Sequence, residues 1–364
     1  MGKIFYAVSG EGRGHATRAC SLIEDLERHH EIVLYAPDHA YEILAPRYRD
    51  SAVQVRKIPG LRFYYSPDRR LNSWQTGWGN VGYVRALPRL LRRLEREIEA
   101  DRPDLVLTDF EPSLPRAARR LGVPFVSLDH QHFLVTYDLS SLPFRLRCYA
   151  AFMAAVVRGY FQGQAHSIVS SFYFPPLRPG LANVTQIGVL LRREILRARP
   201  ESGAHLVAYL RRRPRSQVLE ALAGCGCEVR VYGLGRRLRW RNLRFRPIDV
   251  SRFAEDVASS RALVTTAGNQ LVGEALYLGK PVLALPEEGN REQEINAHFL
   301  RRSGAGEAVG IHALSAGAVR RFLDDAENLR PRIDRRRLCG NSAALEVVNR
   351  HLSRARGTLQ APAA

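Results

Sequence analysis

Two stretches of this chain carry the residue types that hold anions and move protons. The first, Val8 to Ala19, reads VSGEGRGHATRA. Gly10, Glu11, Gly12, Arg13 and Gly14 follow the apolar run Ile4–Val8, and a helix-like pattern, Thr17–His29, comes after them. Glycines let backbone amides approach an anion, and the helix start behind them adds partial positive charge. His15 puts a proton acceptor in the same turn. A dinucleotide fingerprint would need glycine where His15 stands, and a phosphate-binding Walker loop would need a lysine. None occurs between Lys3 and Lys57. The plainer alternative is a strand-to-helix turn that Gly12 and Gly14 merely shape.

The second stretch, Thr265 to Leu300, reads TTAGNQLVGEALYLGKPVLALPEEGNREQEINAHFL. A strand ending at Thr265 and Thr266 breaks at Ala267 and Gly268, and a helix is expected from there to Leu278. Its first amides are free to receive a phosphate or diphosphate. Gly268 permits close approach, and Asn269 and Gln270 bring hydrogen-bond donors. Glu274, about one and a half turns further on, suits a ribose diol as a double acceptor. Glu292 and Gln293, past the next strand, suit the hydroxyls of a sugar. His130 and His132, in LDHQHF, are rival proton acceptors after another strand. Their spacing could suggest a metal pair, but no third ligand accompanies them, and no metal is expected.

These residues need a scaffold, and the apolar patterning supplies one. Short β-branched runs alternate with helical patterns: Ile4–Val8, Ile32–Tyr35, Val53–Ile58, Leu105–Thr108, Phe125–Leu128 and Ser167–Ser170, then His205–Tyr209, Val229–Tyr232, Ala262–Thr265 and Pro281–Ala284. That rhythm is α/β, with two doubly wound, Rossmann-like domains facing across a cleft. The proline-rich stretch from Phe172 to Ile195 reads as the connection between them. The expected division is 1–180, then 181–340, then an amphipathic helix over 341–357 and a disordered tail over 358–364. Leu142 to Phe161 is apolar with arginines at 145, 147 and 158. It reads as a buried helix with snorkelling arginines, with contact to a membrane surface as the alternative.

The 364 residues carry a formal charge of +19, and only three of the 55 basic residues (Lys3, Lys57, Lys280) are lysine. Such a surface attracts polyanions at low salt. The arginine clusters lack the interleaved aromatics of a single-strand nucleic-acid platform, so specific nucleic-acid binding is not expected. No apolar run is long enough to span a bilayer, and the start shows no secretory signal. The five cysteines show neither zinc nor redox spacing. A cytoplasmic protein is expected, with peripheral attachment to the inner face of the membrane as a variant.

Taken in order, an alanine-glycine pair, a glutamate six residues on, Gly-Lys-Pro and an acid-glutamine pair followed by Asn-Ala resemble the GT-B glycosyltransferases. The similarity is to the MurG-like enzymes, the UDP-glycosyltransferases and an uncharacterised bacterial and archaeal group. That last group is similar in its S-G-E-G-x-G-H opening and its D-F-E-P stretch. By this resemblance the second domain binds a nucleotide-diphospho-sugar. Glu274 matches the ribose-holding glutamate, Gly268 and its neighbours the diphosphate-binding helix start, and Glu292 with Gln293 the pair that reads the sugar. Ile248 falls in the loop that clasps the base. Thr266 stands where many relatives have histidine, so Arg211 or Arg291 is expected to help hold the diphosphate. His15 matches a histidine that in some relatives is the general base, and Asp109 the aspartate that orients it.

The resemblance therefore implies an inverting transfer from a nucleotide-diphospho-sugar, with UDP the favoured nucleotide, to a hydroxyl of an unidentified acceptor. A lipid-linked or membrane-borne acceptor would suit the basic surface. No cofactor beyond that co-substrate is expected. The competing readings are a UDP-sugar 2-epimerase on the same fold and a non-enzymatic protein that binds polyanions or membrane surfaces.

Overall fold

The structure, a computed structural model, describes residues 1–10, 12–61, 73–210 and 214–360. Its strands form two all-parallel sheets. The first holds β1 (Gly2–Val8), β2 (His30–Ala36), β3 (Gln54–Lys57), β4 (Leu105–Asp109), β5 (Phe125–Asp129), β6 (His166–Ser170) and β7 (Val184–Ile187), in the order β3-β2-β1-β4-β5-β6-β7. The second holds β8 (Leu206–Tyr209), β9 (Val229–Tyr232), β10 (Leu243–Phe245), β11 (Ala262–Thr265), β12 (Val282–Ala284) and β13 (Gly306–Ala308), in the order β10-β9-β8-β11-β12-β13. Two doubly wound sheets of this order are the α/β architecture of the GT-B fold.

The continuous apolar runs follow from coverage on both faces. On β1 every residue from Ile4 to Val8 is fully buried, and successive side chains enter different cores. Ile4, Tyr6 and Val8 pack with the helices Gly12–Leu26 and Asn341–Gln360, whereas Phe5 and Ala7 pack with the helices Val81–Asp101 and Ser113–Arg120. The last helix thus lies on the first sheet, where Ala344, Val347, Val348 and Leu352 fill the core beside β1 and β4. A third core runs through both halves, from Phe133 through Val189 and Val272 to Phe299 and Leu338.

Three boundaries and two further short strands differ from the sequence reading. The first sheet takes its edge strand β7 from Val184–Ile187, so the first unit extends beyond residue 180. Three of those four residues are half-exposed, which leaves no apolar run to read. The helix after β1 begins at Gly12, which puts Gly14 and His15 in its first turn. The short strands β10 and β13 sit in an arginine-rich stretch and in Gly-Glu-Ala, where three residues hold no period. The last helix continues to Gln360, past the end expected at 357, and 361–364 lie outside the described residues.

Candidate functional site

In both sheets the chain order reverses once, between β1 and β4 and between β8 and β11. Loops beyond such a reversal part to opposite faces and leave a crevice at the carboxyl ends of the strands. The two stretches singled out by sequence emerge at these two points.

At the first, Ser9 donates its backbone N–H to the carbonyl of Asp109 at 2.9 Å, pinning the glycine stretch to the end of β4. His15 then places Nδ1 2.8 Å from Asp109 Oδ1. Arg18, one turn along the same helix, grips that carboxylate with two bonds, Nε to Oδ2 at 2.8 Å and Nη2 to Oδ1 at 2.6 Å. Asp109 is fully buried and Arg18 nearly so. Burial pushes the Asp109 carboxyl up, but Arg18 and His15 outweigh it and hold the group below its ordinary value. Arg18 Nη2 also lies 3.0 Å from His15 Nδ1. A carboxylate at 2.8 Å requires Nδ1 to carry the proton and donate it. The lone pair is then on Nε2, which has no partner among the described residues. The largely buried His15 thus presents Nε2 as its unpartnered nitrogen, backed by a carboxylate held below its ordinary value.

Strain accompanies this geometry. Phe110, directly after Asp109, has φ 58°, and Ala267, directly before Gly268, has φ 61°. Left-handed non-glycine residues cost of order 1–3 kcal/mol and gather at functional sites. In the D-F-E-P stretch Glu111 turns back to accept from the amides of Ser113 and Leu114 at 2.9 Å each, fixing the start of the next helix. Glu11 lies outside the described residues, as does the side chain of Arg13.

At the second reversal, β11 ends at Thr265 and the helix Asn269–Tyr277 starts behind Gly268. A Cβ built on Gly268 would meet nothing within 4 Å, so the approach to the first helical amides is open. Thr266 is half-buried beside it. Asn269 and Gln270, expected to face an anion, are instead structural. Asn269 donates to the carbonyl of Ser170 at 3.1 Å and Gln270 to that of Leu190 at 2.7 Å, which moors the helix to the first domain and the connection. Glu274 is 2% exposed and paired by both oxygens with Arg192, at 3.1 and 2.8 Å, while Gln270 donates to Oε1 at 3.1 Å. The Arg192 guanidinium lies 5.8 Å over the Phe253 ring. A carboxylate has about four lone-pair directions, so this grip orients Glu274 and leaves it further acceptor capacity.

Glu292 and Gln293 open the helix Arg291–Ser303, capped by Asn290, whose side chain accepts from Gln293 N. Gln293 is buried and holds the loop before it, accepting from Glu287 N at 2.7 Å. Glu292 is half-exposed and has no hydrogen bond or ion pair among the described residues. Arg291 is taken by Glu294 at 2.6 Å. Arg211 lies outside the described residues. Ile248, 43% exposed, follows β10 at the same carboxyl edge.

The rival histidines separate cleanly. His130 is 1% exposed, with Nδ1 3.2 Å from Ser170 O and Nε2 3.2 Å from Asn296 Oδ1. Burial pushes its pKa down, and with both nitrogens occupied it is a strut between the domains rather than a free base. Asn296 completes that strut by accepting from Tyr173 OH at 3.1 Å and donating to Ala267 O at 2.9 Å. His132 forms a second histidine–carboxylate pair, Nδ1 to Asp129 Oδ2 at 2.7 Å, but it is sealed at 1% exposure against Phe161. Among the described residues no group of three or more His, Cys, Asp or Glu side chains could hold a metal.

Sequence reasoning missed Arg18, Arg192 and Asn296. Arg18 had a signal, since three residues from His15 shares its helix face. Asn296 stood in the Asn-Ala step already noted. Arg192, on the connection, had none.

The family model described as "Glycosyl transferase family 1" matches residues 2–326. Curated relatives include an uncharacterized glycosyltransferase of Methanosarcina acetivorans, 28% identical over 115 residues, covering 29% of this chain and 30% of that one. Another, from Methanosarcina mazei, is 31% identical over 85 residues, covering 21% and 22%. The matches thus span less than a third of either relative. Among solved structures the chain is similar to UGT89C1 of Arabidopsis thaliana complexed with UDP-L-rhamnose, at TM-score 0.70, 15% identity and coverage of 96% and 99%. MurG of Acinetobacter baumannii superposes at TM-score 0.63, with 12% identity and coverage of 96% and 99%.

Proposed function

The chain belongs to glycosyl transferase family 1, and on that premise we propose that it transfers a sugar from a UDP-sugar to an acceptor hydroxyl with inversion. His15 Nε2 takes the hydroxyl proton as the acceptor oxygen bonds to the anomeric carbon, and the bond from that carbon to the diphosphate oxygen breaks. Asp109 keeps the imidazole in the required tautomer and stabilises the imidazolium as it forms. Arg18 keeps Asp109 ionised while it does so. The departing diphosphate gains charge where the amides behind Gly268 point, and an oriented helix start needs no reorganisation to receive it. Glu274, set by Arg192, takes the ribose hydroxyls, and Glu292 a hydroxyl of the sugar. The scheme requires no cofactor beyond the nucleotide sugar, and it suits a lipid-linked or otherwise membrane-borne acceptor.

The observation that carries this reading is one pairing. A tautomer-fixed histidine stands at the reversal of one sheet, and an open helix start stands at the reversal of the other. The UDP-L-rhamnose complex of a structure with the same fold supports the choice of donor.

Calorimetric titration of UDP, dTDP, GDP and ADP at two salt concentrations tests the donor site. The expected result is one diphosphate binding at about micromolar affinity and persisting at the higher salt. His15→Ala should keep that affinity and lose transfer by about 10²–10⁴-fold. Four weak, equal affinities that vanish with salt would overturn the donor site and leave the +19 charge as the source of binding.

A further inference from the structure

The helix Phe144–Tyr160 has two apolar faces, and the structure covers one of them. Leu146, Ala150, Ala154 and Val157 are buried on the inner face. Phe144, Cys148, Ala151, Phe152, Ala155 and Gly159 are all exposed. Their spacing of three and four residues gathers them on one arc of about 100° on the opposite side. Phe144 is 74% and Phe152 69% exposed, although aromatic side chains of this size normally lead in burial. Arginines border the bare stripe on both sides, Arg145 on one and Arg147 with Arg158 on the other, and all three are exposed.

The two ends of this helix reach the two halves of the candidate site. Near its start Arg145 pairs with Glu294 at 2.8 Å, on the helix that carries Glu292 and Gln293. Just past its end Phe161 packs on Phe110, with ring centres 5.4 Å apart, beside Asp109. The outer stripe therefore runs along the site without taking part in it.

We propose that this stripe docks the protein on an anionic lipid bilayer. The two phenylalanines would enter the boundary between headgroups and acyl chains, while Arg147 and Arg158, which have no ion pair among the described residues, lie along the surface and reach lipid phosphates. The overall charge of +19 supplies the attraction that brings the face to the bilayer. Self-association is the poorer fit, because a two-fold contact through the stripe sets the arginine borders of both copies against each other. The docking rests on exposure and charge alone. Combined with the proposed transfer, it would deliver the cleft to an acceptor carried in the bilayer.

The test is co-sedimentation of the full chain with vesicles of phosphatidylcholine, alone or mixed with phosphatidylglycerol. The wild type should pellet with the mixed vesicles. The double variant Phe144→Ser, Phe152→Ser should lose at least about tenfold in partitioning at equal salt. Leu238→Ser, at a 92% exposed leucine in the second domain, should partition like wild type. Unchanged unfolding midpoints and UDP affinity in the double variant would separate loss of docking from loss of fold or donor site. The proposal is overturned if the double variant partitions like wild type, since charge alone then holds the protein. It is equally overturned if the wild type ignores anionic vesicles, or forms a dimer in sedimentation velocity that the double variant dissolves.

Discussion

The Arg18–Asp109 pair makes the sharpest demand on the structure. Its side chains are 4% and 0% exposed and share two charge-assisted bonds of 2.8 and 2.6 Å. Arg18→Met would leave a buried carboxylate facing only His15, and Asp109→Leu would leave a buried guanidinium with no anion. Each single change should cost about 3–5 kcal/mol, the usual penalty for orphaning one member of a buried pair. The double change removes both charges together and should cost less than the sum by about 2 kcal/mol or more. Urea unfolding followed by tryptophan fluorescence measures all four proteins. Burial pushes the Asp109 carboxyl up, Arg18 and His15 outweigh it, and the folded value lies below 3.8. A depressed carboxyl contributes stability that is present above the unfolded value and lost as pH falls through the folded one. The stability that ionised Asp109 contributes to wild type should therefore be full at neutral pH and be lost as pH falls through its depressed folded value, whereas in Arg18→Met, where burial acts without the guanidinium, protonation should begin at higher pH. Costs that add within about 0.5 kcal/mol would show the two residues acting independently and refute the argument.

Three further outcomes follow from contacts already described. Glu274→Gln keeps the shape but removes the charge facing Arg192, so nucleoside diphosphate affinity should fall by about 1–3 kcal/mol on titration, with a parallel loss of thermal stability; unchanged values for both would exclude Glu274 from the site. Asn296→Ala strips partners from His130, Tyr173 and the Ala267 carbonyl, and should cost about 2–4 kcal/mol in chemical unfolding. Gly273→Ala puts a Cβ 2.4 and 2.6 Å from the two methyls of Val189, so it should destabilise by about 1–3 kcal/mol. Adding Val189→Ala should recover part of that loss, and no recovery would mean that the clash lies elsewhere.

The sequence by itself determined the architecture and marked the two glycine-containing turns that the structure places at the reversals of its sheets. Runs such as Ile4–Val8 and Val229–Tyr232 are apolar at every or nearly every position because parallel strands are covered on both faces, and that signal is local. The glycines around His15 and the break at Gly268 were legible for the same reason, since backbone permissiveness is a property of single residues. Strands that lean on neighbours rather than on their own apolar content, β7, β10 and β13, carried no such mark. Tertiary structure decided what each polar side chain spends itself on. Asn269, Gln270 and Gln293 have the donors that an anion or a sugar would want, yet they hold Ser170, Leu190 and Glu287 in place. His130 and His132 looked alike, two residues apart, and only packing made one a strut and the other a sealed pair. Arg18, Arg192 and Asn296 became part of the site through partners 82 to 166 residues away in sequence. A hydrogen bond is satisfied by whatever lies within about 3 Å, and the order of residues along a chain does not state that distance.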